Sequence, residues 1–133
     1  TLAYDARQVV VDHAALHAAP PPLLIDARAD ARYRGEVEPL DRAAGHVPGA
    51  RNRPYADNLL ADGHFKPPAQ LREEFAAVLG DATPDRVVHM CGSGVTACYN
   101  LLAMEHAGLH GSRLYAPSWS GWVSDPSRPV AKG

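Results

Sequence analysis

At 133 residues, 46% hydrophobic and 21% charged, the chain can bury a core and is too apolar to be a disordered polymer. A formal net charge of −2 excludes the pull that a strongly basic domain exerts on nucleic acid or an acidic membrane. Two cysteines are too few for a disulfide scaffold, so the expected setting is a reducing cytoplasm in which a thiol is available for chemistry.

One domain, 1–133, is the natural count. No signal peptide opens the chain, and it starts at Thr1, so it reads as a piece of something longer. In chain order, QVVVDHAALHAA (8–19) reads as a short strand passing into a helix, closed by Pro20, Pro21 and Pro22. LLIDAR (23–28) is a compact apolar run suited to a buried parallel strand. The helix-like ADARYRG (29–35) follows, and then the turn-rich AAGHVPGARNRPYADN (43–58). Arginines gather between Arg28 and Arg53, but Asp26, Asp30, Glu36, Glu38 and Asp41 are interleaved with them, which predicts local pairing and not a polyanion surface.

PPAQLREEFAAVLG (67–80) is the clearest amphipathic helix. Prolines stand where a missing N–H costs nothing, Leu71, Phe75, Val78 and Leu79 fall at helical spacing, and Gly80 is placed to end it. RVVHM (86–90) predicts the next buried strand, GVTACYNLLAMEHAG (94–108) a helix ending at Gly108, and SRLY (112–115) the last strand. The run from Val87 to Met104 has no Asp, Glu, Lys or Arg, yet its two glycines and several polar residues argue against a membrane span. Alternating strands and helices predict an α/β domain with a mostly parallel central sheet and helices on both faces.

Cys91 therefore falls at the carboxyl end of a buried strand, in the crevice where open parallel sheets place ligands. Gly92 and Gly94 allow a tight turn whose N–H groups point inward, a concavity that holds anionic groups. The end of the following helix supplies only about 0.3–1 kcal/mol, or up to ~2 when partly buried. Several loop N–H groups must therefore converge on the sulfur before a thiol of ordinary pKa about 8.5 becomes a nucleophilic thiolate at neutral pH. The bland alternative is a buried core cysteine. Cys98 fits that role better: it follows Val95 by three residues, and Tyr99 and Leu102 continue its stripe.

Three chemistries can use such a loop. A tyrosine-phosphatase-like site needs an arginine at the sixth position after the cysteine, and Ala97 stands there. GSGVTA fits the dinucleotide pattern G-x-G-x-x-A, but SRLYAPSW offers no acid at the end of the next strand to hold a ribose. The third is sulfur transfer. CGSGVTAC preceded by VVHM, together with DARADARYRGEVEP, AGHVPGA and SW followed three residues on by a tryptophan, resembles the C-terminal, catalytic domain of two-domain rhodanese-type sulfurtransferases from about Val9 to Pro129.

Within that family, CGSGV resembles the 3-mercaptopyruvate sulfurtransferase branch, whereas the thiosulfate branch carries cations at the positions of Gly92 and Ser93. The resemblance implies a rhodanese-like fold and a persulfide formed on Cys91, with Ser93 acting beside it and Gly92, Gly94, Val95 and Thr96 completing the loop. A neutral loop suits 3-mercaptopyruvate: an arginine outside it can hold the carboxylate, and Ser93 can hydrogen-bond the carbonyl or thiol group. The resemblance makes Arg32 the first candidate for that arginine, ahead of Arg42. The bland reading of Arg32 is a helix arginine paired with Asp26 or Asp30.

No metal or organic cofactor is implied, because cysteine itself carries the sulfur. The implied partners are a small sulfur donor (3-mercaptopyruvate or thiosulfate), cyanide, a small thiol or reduced thioredoxin as acceptor, and a missing N-terminal rhodanese-like domain. That domain supplies the histidine and aspartate that act with the loop serine, so His46 is expected to stabilise a turn through its ring nitrogens. Trp119 and Trp122 are expected to pack on the core beside the loop. PSWSGW departs from the family's usual GSWSEW at Pro117 and Gly121, which touches the segment expected near the site. His13 and His17, like His106 and His110, have i, i+4 spacing but lack the glutamate of a metal-binding helix. The alternative function is a non-catalytic rhodanese-like module that binds a partner or carries persulfide for another enzyme.

Overall fold

The computed structural model describes residues 10–17, 21–37, 43–92 and 96–132. Five strands, β1 (Val10–Val11), β2 (Leu23–Asp26), β3 (Arg51–Asn52), β4 (Val87–Met90) and β5 (Arg113–Tyr115), form one sheet in the order β1-β5-β4-β2-β3. Every pairing is parallel. The helices are α1 (Asp30–Arg34), α2 (Pro68–Leu79), α3 (Ala97–His106) and α4 (Ser118–Val123), with 3-10 turns at His13–His17, Tyr55–Asn58 and Pro84–Arg86. No helix of the described residues is long and apolar enough to cross a membrane.

Both faces of the sheet are covered, which explains why β2 and β4 read as unbroken apolar runs. Successive strand residues point to opposite faces. Leu24, Val88, Met90 and Tyr115 pack with Trp119, Trp122 and Val123. Ile25 and Val87 pack on the other face with Leu71, Phe75 and Leu79 of α2 and Ala103 and Met104 of α3. Helix α2 begins at Pro68 and stops at Gly80 (φ 58), whose N–H donates to the Ala76 carbonyl at 3.1 Å. Gly108 (φ 82) ends α3 in the same way, donating to the Glu105 carbonyl. A glycine adopts this left-handed backbone without the Cβ penalty that other residues incur.

Three readings change. Residues 13–17 form a 3-10 turn where a helix was expected. The turn-rich segment contributes an edge strand, β3, of only two residues, too short to leave a period-two signature. The third change is in α3, whose buried face is Ala97, Asn100, Leu101, Ala103 and Met104. Tyr99 and Leu102 are 41% and 51% exposed and Cys98 is exposed, so the expected Cys98 stripe faces outward. The helix is rotated because Asn100 is held inside: its Nδ2 donates to the Arg53 carbonyl (2.8 Å) and its Oδ1 accepts from Asn58 Nδ2 (2.6 Å).

Candidate active site

Strand β4 ends at Met90, and Cys91 follows with its side chain on the face shared by Val87 and His89. Cys91 is 1% exposed and packs with Ala27 and Ala97, while Tyr55 and Leu114 lie partly buried against them. These neighbours give the sulfur apolar walls. Ser93, Gly94 and Val95, whose amides were expected to converge on it, lie outside the described residues, as does Arg42. Thr96 stands immediately before α3, and its carbonyl accepts from the Tyr99 N–H at 3.1 Å.

The backbone around Cys91 is held by the first residues of α4. Its N–H donates to Ser118 Oγ at 3.1 Å, and Ser118 Oγ in turn donates to the Tyr115 carbonyl at 2.9 Å. Trp119 N–H donates to the Cys91 carbonyl at 2.8 Å and Ser120 N–H to the Gly92 carbonyl at 2.9 Å. Ser118 is fully buried and has φ 53, the one positive-φ non-glycine among the described residues. A left-handed backbone costs an ordinary L-residue roughly 1–2 kcal/mol. Sequence reasoning missed Ser118, since its role depends on a backbone angle that leaves no periodic signal.

Helix α1 brings Arg32 to the same edge of the sheet. A β-carbon built on Gly92 would stand 3.2 Å from Arg32 Nη2 and 3.4 Å from Nη1, so the guanidinium fills the space a side chain at 92 would take. Asp26 and Asp30, weighed above as partners of Arg32, each have an arginine contact. Asp26 receives Arg28 at 2.7 Å with both side chains almost fully buried, and Asp30 receives Arg34 at 2.9 Å. Arg28 also donates to the Gly45 carbonyl and lies 4.7 Å from the centre of the Trp119 ring. That buried pair ties β2, the AGHVPGA turn and α4 together at the carboxyl edge of the sheet.

His46 acts as a turn residue. Its Nδ1 lies 2.7 Å from the Tyr33 carbonyl, its ring stacks on Tyr33 at 3.9 Å, and its backbone exchanges two hydrogen bonds with Ala131. Trp119 and Trp122 pack in the core, with their indole N–H groups donating to the Ala43 and Pro129 carbonyls. His110 pairs with Glu105, and the His106 ring lies against Phe65. The side chains of His13 and His17 are outside the described residues.

His89 was not singled out from the sequence. It is fully buried on β4, and neither ring nitrogen has a hydrogen-bond partner among the described residues. Burial pushes its pKa down to about 3, so the imidazole stays neutral.

Fold and site together define a parallel α/β domain that presents a cysteine on a strand-to-helix turn at the carboxyl edge of its sheet. The rhodanese-like domain family matches residues 10–125, and the chain belongs to it. Over 110 residues it is 56% identical to a protein of Pseudomonas aeruginosa named as a probable 3-mercaptopyruvate sulfurtransferase, covering 83% of this chain and 39% of that one. It is 39% identical over 114 residues to human 3-mercaptopyruvate sulfurtransferase, covering 83% and 38%. The solved structure of Tum1 from Saccharomyces cerevisiae superposes with a TM-score of 0.78 at 28% identity, over 95% of this chain and 47% of that one. The chain thus spans about two fifths of the length of these curated relatives.

Proposed function

We propose that this chain is the cysteine-bearing part of a longer sulfurtransferase that takes sulfur from 3-mercaptopyruvate, with thiosulfate as the lesser donor, and passes it to a thiophile. The observation that carries the reading is the guanidinium of Arg32 lying over Gly92, one residue from Cys91. A planar guanidinium beside the cysteine can grip a carboxylate with two parallel N–H donors. 3-Mercaptopyruvate places a carboxylate two carbons from its sulfur-bearing carbon. Thiosulfate gains less there, since its charge sits beside the reacting sulfur and calls for cations on the loop itself, where Gly92 has none.

In the proposed reaction the Cys91 thiolate attacks the thiol sulfur of 3-mercaptopyruvate and the C–S bond breaks. The electron pair goes to carbon as the enolate of pyruvate, which is then protonated, and a persulfide remains on Cys91. Cyanide, a small thiol or reduced thioredoxin then attacks the outer sulfur and restores the Cys91 thiolate, giving ping-pong kinetics. The reading keeps loop N–H groups as the source of thiolate stabilisation and Ser93 as the group that binds the donor's carbonyl. The reading includes an N-terminal rhodanese-like domain that completes the site and a cytoplasmic setting that keeps Cys91 reduced.

Mass spectrometry tests it directly. Treating the intact chain with 3-mercaptopyruvate should add about 32 Da, one sulfur atom, to the Cys91 peptide. The Cys91→Ser variant should lose both the adduct and turnover. Equal rates for the two proteins would instead make the domain a non-catalytic binding or carrier module.

A further inference from the structure

We propose that Ser118 is the positioning residue of this site: its hydroxyl replaces the rung that the sheet lacks between the ends of β4 and β5 and so fixes the backbone from which Cys91 projects. The parallel ladder between these strands is registered at Val88 with Arg113 and at His89 with Leu114. Past that point the chains separate, β4 toward the cysteine loop and β5 toward α4. Ser118 Oγ spans the gap. It accepts from the Cys91 N–H and donates its own proton to the Tyr115 carbonyl.

Both functions of the hydroxyl are therefore used on backbone, and its contribution is to hold Cys91 still. The next two residues continue the clamp, with Trp119 N–H on the Cys91 carbonyl and Ser120 N–H on the Gly92 carbonyl. Three successive residues thus hold the peptide groups on both sides of Cys91. The clamp accounts for the retained φ of 53 at a non-glycine position: glycine would fit the backbone but has no hydroxyl. Strained backbone at a functional site persists where the surrounding structure over-determines it.

This inference rests on Cys91 being the reacting residue. Two variants in the intact chain separate positioning from mere folding. Ser118→Ala removes the hydroxyl and keeps the strain, while Ser118→Gly removes the hydroxyl and relieves the strain. Both should lower kcat, counted per Cys91 thiol, by roughly tenfold, with KM for 3-mercaptopyruvate unchanged within about twofold because Arg32 is untouched. Alkylation of the Cys91 peptide by iodoacetamide should slow in parallel.

If Ser118→Gly keeps wild-type kcat and alkylation rate, or if activity in both variants merely follows the folded fraction, the positioning role is wrong. A raised KM at constant kcat would overturn it too, by making Ser118 a binding residue. Failure of the underlying reading looks different: Cys91→Ser would then retain activity whatever residue 118 is.

Discussion

The guanidinium of Arg32 occupies the place of the side chain that residue 92 lacks. Nη2 stands 3.2 Å from where a β-carbon on Gly92 would be, so the two positions are coupled through space although 60 residues separate them in sequence. Arg32→Ala should raise KM for 3-mercaptopyruvate roughly tenfold or more, as expected for losing a hydrogen bond to a charged group. Arg32→Lys should recover only part of this, because a point charge lacks the fork. Gly92→Ala asks Arg32 to yield a few tenths of an ångström and should cost little, whereas Gly92→Arg should displace Arg32 and raise KM as Arg32→Ala does. Steady-state kinetics with both donors measure this, and an unchanged KM in Arg32→Ala would remove the carboxylate grip.

Pro117 and Gly121 form a second coupled pair. A β-carbon on Gly121 would lie 2.3 Å from Pro117 Cβ, far inside contact distance. Gly121→Glu should therefore destabilise the domain by about 1–3 kcal/mol, the range for forced overpacking. Pro117→Gly in the same chain should recover much of that loss by removing the obstructing ring. Urea midpoints of the two single variants and the double variant give the coupling; simple additivity would show that the contact is relieved elsewhere.

Acid stability depends on the buried His89. The folded-state pKa of His89 is depressed by burial to about 3, so between its unfolded value of about 6.5 and that folded value the unfolded chain binds the extra proton. Stability is therefore complete above the unfolded pKa and falls as pH drops through this window, by at most about 1.4 kcal/mol per pH unit from this residue. His89→Phe should flatten the decline without loss at pH 8, where it also removes two buried nitrogens that lack partners among the described residues. Denaturation curves from pH 8 to pH 4 should diverge for the two proteins; parallel curves would assign the acid sensitivity to other groups.

Cys98 is exposed on α3 while Cys91 is buried. A thiol reagent should accordingly modify Cys98 first, and Cys98→Ser should leave sulfur transfer within about twofold of wild type and the urea midpoint nearly unmoved, as surface substitutions do. Peptide mapping after brief alkylation is the measurement, and preferential labelling of Cys91 would show that the reactivity of its thiolate outweighs its burial.

The α2 helix was legible because its signals are local: prolines at the start, apolar residues every three or four positions, glycine at the end. The α3 helix shows where such reading stops. Val95, Cys98, Tyr99 and Leu102 make as regular an apolar stripe as the face that is actually buried, and Asn100 obscures the true one. Only the Arg53 carbonyl and Asn58, brought in from the turn-rich segment, make a buried asparagine favourable at that place. Strand β3 was missed for a related reason: two residues at a sheet edge are defined by their neighbour β2 and not by their own pattern.

By itself the sequence determined the alternation of strand and helix, hence a parallel sheet, and the address of Cys91 at the end of a buried strand, because burial periodicity and glycine turns are written in adjacent residues. Tertiary structure alone decided which face of α3 is buried, that Arg32 rather than a side chain at 92 fills the space beside the cysteine, and that Ser118 bridges the ends of two strands. Those relationships depend on distances between residues remote in the chain and on one backbone angle, quantities that no local pattern encodes.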